Sequence, residues 1–213
     1  MQKRSSQLHE SIYPEHYNLF FEPDLKKFIF KGKVEIETIL RKPTDVIILD
    51  AIELKINKAI IKIKNQILKP KIKLNEKDQT LILKLPNKIK NQAIIEIAFT
   101  GNLNDKLAGF YRSKYVHNKK EFYIATSQFE APYARKAFPC FDQPDKKATF
   151  TLSLLIPKKL KAISNMPIVS QQSQKNKKLV TFQKTPKMST YLLYIGIGDF
   201  EFLTTKYKNK IIR

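Results

Sequence analysis

Two residues stand out for the chemistry that their types and spacing permit, Gln128 and Glu130. They lie in the run Ala125-Thr126-Ser127-Gln128-Phe129-Glu130-Ala131-Pro132-Tyr133-Ala134-Arg135-Lys136-Ala137-Phe138-Pro139-Cys140-Phe141-Asp142-Gln143-Pro144. This run is rich in aromatics and prolines, and it carries Glu130 and Asp142 in a chain with 19 Asp+Glu against 40 Lys+Arg. Residues two apart project from the same side of an extended backbone. A carboxylate beside an amide on one side makes a cradle for a small cation such as an ammonium group. The competing reading pairs Glu130 with Arg135 or Lys136 in an ordinary surface ion pair. Spacing alone leaves both readings open.

Other candidates are weaker. His9 and His16 lie seven apart, with Glu10 and Glu15 near them, and a metal site is conceivable only with such carboxylates, because the chain has 3 His and 1 Cys. The flanking residues read instead as a terminus running into a strand. His117 sits in a Lys/Asn turn and is expected to be solvated. Cys140, between prolyl and phenylalanyl neighbours, is expected to act as a small buried hydrophobe. A single cysteine excludes an internal disulfide framework. No Ser/His/Asp order, glycine-rich phosphate loop or H-E-x-x-H motif occurs, and 5 glycines leave little for a nucleotide cradle.

The elements that must position these residues read almost entirely as strands. Between Phe28 and Leu40 the even positions Phe28, Phe30, Val34, Ile36 and Leu40 are apolar, while Lys31, Lys33, Glu35 and Glu37 face the other way. Gly32 inside this run predicts a bulge or a close approach. Further strands are expected at Tyr17 to Phe21, Asp45 to Leu49, Glu53 to Lys64, Thr80 to Leu85, Ala93 to Phe99, Phe122 to Thr126, Ala148 to Ile156, Leu179 to Gln183 and Tyr191 to Phe202. Turn signals separate several of them: Pro43-Thr44-Asp45, Asn75-Glu76-Lys77-Asp78 and Pro86-Asn87. The best helical candidate is a short turn near Ala131 to Ala137. The expected class is all-β, a multi-sheet, antiparallel-rich fold. With no internal repeat and no linker, residues 1–213 are read as a single domain. Lys206 to Arg213 reads as a turn and a fresh strand that something else would continue or pair.

Composition narrows the function classes. A hydrophobic fraction of 42% in 213 residues suffices for a core, and excludes a disordered tail despite a net charge of +21. The start is polar, without the apolar stretch of a signal peptide, and no apolar run is long enough for a membrane helix, so a cytoplasmic protein is expected. The lysines alternate with Ile or Leu, as in Leu54-Lys55-Ile56, which places them on outward strand faces where they discourage edge pairing. Base readers lean on arginine forks, and the chain has five arginines. Nucleic acid is therefore disfavoured as a partner, and an acidic protein partner is the alternative.

The run from Ser127 to Asp142 resembles the N-terminal domain of zinc metalloaminopeptidases of the aminopeptidase N type. Collinear segments extend the resemblance over nearly the whole chain. They include Tyr13-Pro14-Glu15-His16-Tyr17-Asn18-Leu19, Leu107-Ala108-Gly109-Phe110-Tyr111-Arg112-Ser113 and Lys146-Lys147-Ala148-Thr149-Phe150. Later segments are Ala162-Ile163-Ser164-Asn165-Met166-Pro167, Lys184 to Leu193 and Gly198-Asp199-Phe200-Glu201. The chain departs from the family pattern at Pro132-Tyr133 and at Gln143.

The resemblance implies a saddle-shaped domain of several β-sheets that precedes a thermolysin-like zinc domain. It also implies that Glu130 binds the free α-amino group of a peptide and that Gln128 lines the pocket for the first side chain. No catalytic residue and no metal ligand is expected in this chain. The zinc is expected in a separate catalytic subunit, so that the chain would be the substrate-anchoring half of a split aminopeptidase, inactive alone. The alternative is a non-catalytic scaffold whose basic surface binds nucleic acid or an acidic protein.

Overall fold

Period-two alternation of apolar residues becomes sheet because each strand buries one face and wets the other. A computed structural model describes residues 11–212. The first strands are β1 (Ile12–Asp24), β2 (Ile29–Asp50), β3 (Leu54–Ile63), β4 (Gln66–Leu68), β5 (Lys71–Asn75) and β6 (Thr80–Asn102). Then come β7 (Gly109–His117), β8 (Lys120–Gln128), β9 (Thr149–Pro157), β10 (Lys161–Ser164) and β11 (Ile168–Gln174). Last are β12 (Lys177–Phe182), β13 (Ile195–Gly198), β14 (Thr205–Tyr207) and β15 (Lys210–Ile212). The helical content among these residues is two 3-10 turns, Ala134–Lys136 and Thr190–Leu192. The first lies inside the short turn expected at Ala131 to Ala137.

Nine strands form one sheet in the order β11-β12-β9-β1-β2-β6-β3-β4, with β5 on β6, and its one parallel pair is β1 with β9. A second sheet of four has the order β10-β13-β8-β7. The all-β, mostly antiparallel, multi-sheet class expected from the sequence is the class observed. The strand at Lys210–Ile212 pairs with β14 of the same chain.

Two pairs of expected strands are each one long strand. The expected strand at Phe28 to Leu40, from its second residue on, and that at Asp45 to Leu49 belong to β2, and Thr80 to Leu85 and Ala93 to Phe99 belong to β6. Pro43-Thr44-Asp45 and Pro86-Asn87 therefore do not turn the chain. They face each other where the β2/β6 ladder shifts register, between Leu40, Thr44 and Val46. A proline lacks the N–H that a ladder requires, and an irregular stretch has no ladder bond to lose. Thr44 bridges it locally, its Oγ1 donating to the Val46 carbonyl at 2.8 Å. Asn75 to Asp78 does turn, closed by Asn75 Nδ2 donating to Asp78 Oδ2 at 2.7 Å. Of the strand expected at Tyr191 to Phe202, Ile195–Gly198 is extended.

Gly32 marks a close approach. It lies opposite Phe99, and a Cβ there would sit 2.3 Å from the Phe99 ring. Two residues along, the pair is inverted: Phe30 lies opposite Gly101, whose Cβ would sit 2.3 Å from the Phe30 ring. The rings cover the glycines and meet Phe21, at 5.8 Å from Phe30 and 6.1 Å from Phe99 between centroids. Phe21 also meets Phe110 of the second sheet at 5.5 Å and Phe138 of the long loop after β8 at 6.3 Å. One aromatic cluster thus ties both sheets to the loop that carries the candidate site.

Candidate functional site

Strand β8 ends at Gln128, opposite Gly109 of β7. The next residue, Phe129, is 1% exposed and packs edge-on against Phe138, 5.9 Å between centroids. Gln128 and Glu130 flank this anchor and are both exposed. The chain then turns through Ala131-Pro132, with the Tyr133 N–H donating to the Phe129 carbonyl at 3.1 Å, into the 3-10 turn. That turn presses on β7: Gly109 adopts φ +75°, and a Cβ there would lie 2.7 Å from Lys136 Cβ.

Both cations that could have neutralised Glu130 are engaged elsewhere. Lys136 pairs with Glu53 at 2.8 Å. Arg135 lies between two carboxylates, Nε donating to Asp142 Oδ2 at 3.0 Å and a terminal nitrogen 3.5 Å from Asp50 Oδ1. Among the described residues, neither Glu130 nor Gln128 has a side-chain hydrogen bond or an ion pair.

The Arg135 cluster holds the loop. The Asp142 N–H and the Gln143 side-chain amide both donate to Asp50 Oδ2, at 2.8 and 2.9 Å, and the Thr190 hydroxyl donates to Asp142 Oδ1 at 2.7 Å. The Tyr17 hydroxyl accepts the Phe141 N–H at 3.1 Å. Burial pushes the Asp142 carboxyl above its ordinary range, against the opposing pull of the Thr190 hydroxyl and Arg135. Sequence reasoning missed this clamp. Its signal was the spacing of Arg135 and Asp142 within the singled-out run, but Asp50 and Thr190 lie far away in the chain.

The remaining candidates fall to structural roles. Cys140 is fully buried and bridges to Asp50 through the backbone, and burial drives its thiol pKa well up, the opposite of a reactive thiolate. His16 Nδ1 lies 2.8 Å from the Thr149 hydroxyl. His9 and Glu10 lie outside the described residues. His117 is exposed, 3.2 Å from the Asn118 amide. Among the described residues no three His, Cys, Asp or Glu side chains come together to hold a metal ion, so these residues do not fit a zinc centre. No helix here is long and apolar enough to cross a membrane.

Comparison with known proteins accords with this architecture. Residues 13–192 match the family model for the Peptidase M1 N-terminal domain. "Aminopeptidase M1" of Arabidopsis thaliana is 38% identical over 210 residues, covering 94% of this chain and 24% of that protein. "Aminopeptidase 2, mitochondrial" of Saccharomyces cerevisiae is 36% identical over 206 residues, covering 93% of this chain and 21% of that protein. "Puromycin-sensitive aminopeptidase" of Caenorhabditis elegans is 37% identical over 209 residues, with 93% and 22% covered. The chain thus spans about a quarter of the length of these relatives. A β-fold matched along most of its length by one family model leaves no other placement: the chain belongs to the Peptidase M1 N-terminal domain family.

Proposed function

We propose that this domain anchors the free α-amino group of a peptide substrate at Glu130, beside Gln128, for an aminopeptidase. The zinc-dependent hydrolysis itself is supplied by a catalytic unit that this domain serves. The observation that carries the reading is the unpaired Glu130 carboxylate, exposed next to two cations that are both committed to other acids. A carboxylate kept free in this way accepts charge-assisted hydrogen bonds from an incoming ammonium, each worth about 1.5–3 kcal/mol where water is partly excluded. Fixing the amino terminus fixes the register, so only the first peptide bond is presented for cleavage. Gln128 offers an amide donor and acceptor to the first residue of the peptide.

The test captures the tagged full-length chain from its native extract. The bound material is assayed for chelator-sensitive release of N-terminal amino acids, with a Glu130→Gln chain alongside. The expected result is co-purifying activity on free amino termini that falls roughly 10- to 150-fold in kcat/KM with Glu130→Gln, the range that 1.5–3 kcal/mol predicts. Activity untouched by Glu130→Gln removes the anchoring role. Capture without any peptidase activity removes the aminopeptidase reading and leaves a scaffold.

A further inference from the structure

The interrupted β2/β6 ladder leaves a cleft of about 670 Å³ at the bend of this strand pair. Its rim carries Arg41, Lys64 and Lys90 with the amides of Asn91 and Gln92, and its floor is aliphatic, with no carboxylate in the lining. All five rim residues are exposed. Asn91 adopts φ +71°, turning the β6 backbone where pairing to β2 stops. A smaller cleft of about 170 Å³ continues from it through the shared Ile39 and Arg41, and adds Lys146, Lys147 and Lys187 with Glu15 and Asp145.

The cations of the larger cleft are uncompensated. Among the described residues Arg41, Lys64 and Lys90 form no ion pair, whereas Lys62, Lys84 and Lys177 of the same sheet pair with Glu96, Asp45 and Glu22. Three like charges around a concavity with apolar walls repel one another and focus a positive field into it. A monovalent anion answers one of them, while a compact multivalent anion answers all three. Arg41 is also held in place, its guanidinium carbon lying 4.1 Å from the centre of the Tyr13 ring, which lines the adjoining smaller cleft.

We propose that this cleft is a binding site for a small polyphosphate-bearing ligand, held by Arg41, Lys64 and Lys90. The cleft is of small-molecule size. A single-stranded nucleic acid is disfavoured because strands bind by stacking bases on aromatic faces. The cleft lining has no aromatic residue, and the nearby Tyr13 ring is taken by Arg41 and by the Lys146 ammonium at 3.9 Å.

The test is calorimetric titration of the full chain with inorganic tripolyphosphate at physiological salt. Saturable one-to-one binding is expected, weakened at least tenfold in the triple variant Arg41→Gln/Lys64→Gln/Lys90→Gln. A second triple variant, Lys31→Gln/Lys55→Gln/Lys58→Gln, removes the same charge from exposed positions outside both clefts and is expected to keep the affinity within twofold. The idea is overturned by absence of saturable binding, or by equal loss in both variants, which would make the effect one of diffuse charge. It is also overturned if an oligothymidylate or a poly-glutamate peptide binds more tightly than tripolyphosphate and depends on the same three residues. The readout is independent of Glu130 and of any peptidase activity.

Discussion

Replacing Arg135 by Leu tests what holds the site-bearing loop in place. The Arg135 side chain is 14% exposed, Asp50 7% and Asp142 1%. Removing the cation does not affect the two carboxylates equally. Asp50 Oδ2 keeps the Asp142 N–H and the Gln143 amide. Asp142 keeps the Thr190 hydroxyl and the N–H of residue 135 at 3.3 Å, but loses the Nε donor and, among the described residues, its one ion-pair partner. An uncompensated buried charge of this kind costs about 3–5 kcal/mol. That is a large part of the total stability of an ordinary domain, about 5–15 kcal/mol.

The pH dependence identifies the cause. Burial already raises the Asp142 carboxyl above its ordinary value of 3.8, and Arg135 is one of the groups pulling it back. Without Arg135 it rises further. A carboxyl raised in the fold contributes stability that is fully present below its unfolded value and is lost as pH rises through the folded one. The deficit of Arg135→Leu relative to the parent chain is therefore largest at pH 7 and narrows as pH falls toward about 4. The double variant Arg135→Leu/Asp142→Asn, which removes the orphaned charge, recovers at least ~1 kcal/mol of the loss. Urea unfolding followed by far-ultraviolet circular dichroism measures all three chains, which contain no Trp. A deficit below ~1 kcal/mol that is flat in pH would refute the clamp.

Two further outcomes follow from the packing and the titrating groups. Gly32→Ala places a methyl group 2.3 Å from the Phe99 ring, itself 1% exposed, so overpacking is expected to destabilise the fold by about 1–3 kcal/mol, read as a shift in the urea midpoint. His16 is held below its ordinary value of 6.5, first by burial and then by Lys184, against the pull of Glu37. The stability it contributes is present above about pH 6.5 and lost as pH falls below it, so the parent chain loses more between pH 7.5 and 5.5 than His16→Gln does.

How much of the fold was legible depended on whether a strand buries one face cleanly. From Ile29 to Leu40 of β2 and throughout β9 burial alternates residue by residue, and the sequence shows the same alternation. In β7 the first two residues are buried and the last four are exposed, so Gly109–His117 carries no period-two signal. Proline misled for a related reason. Pro43 and Pro86 cannot donate to a ladder, which suggests turns when each is read alone. Only the pairing of β2 with β6 shows that both fall in one shared irregularity, where neither is asked to donate.

The site divides along the same line between local and long-range information. That Gln128 and Glu130 flank a buried Phe129 follows from spacing. Whether Glu130 is free does not, because its sequence neighbours Arg135 and Lys136 are the obvious partners. Their removal from competition is a tertiary event. Lys136 reaches a glutamate 83 positions away, and Arg135 is held by Asp142, which is fixed in turn by a threonine 48 positions further on. The carboxylate is available to a ligand because the fold supplies other acids to the cations beside it. A +21 chain with 19 acids has few carboxylates to spare, and the distribution of those few decides where a cation can bind. Among the described residues the same shortage leaves Arg41, Lys64 and Lys90 without an acidic partner at the irregularity in the middle of the β2/β6 ladder, so the placing of a few acids leaves one open carboxylate in the loop and one open basic cleft at the bend.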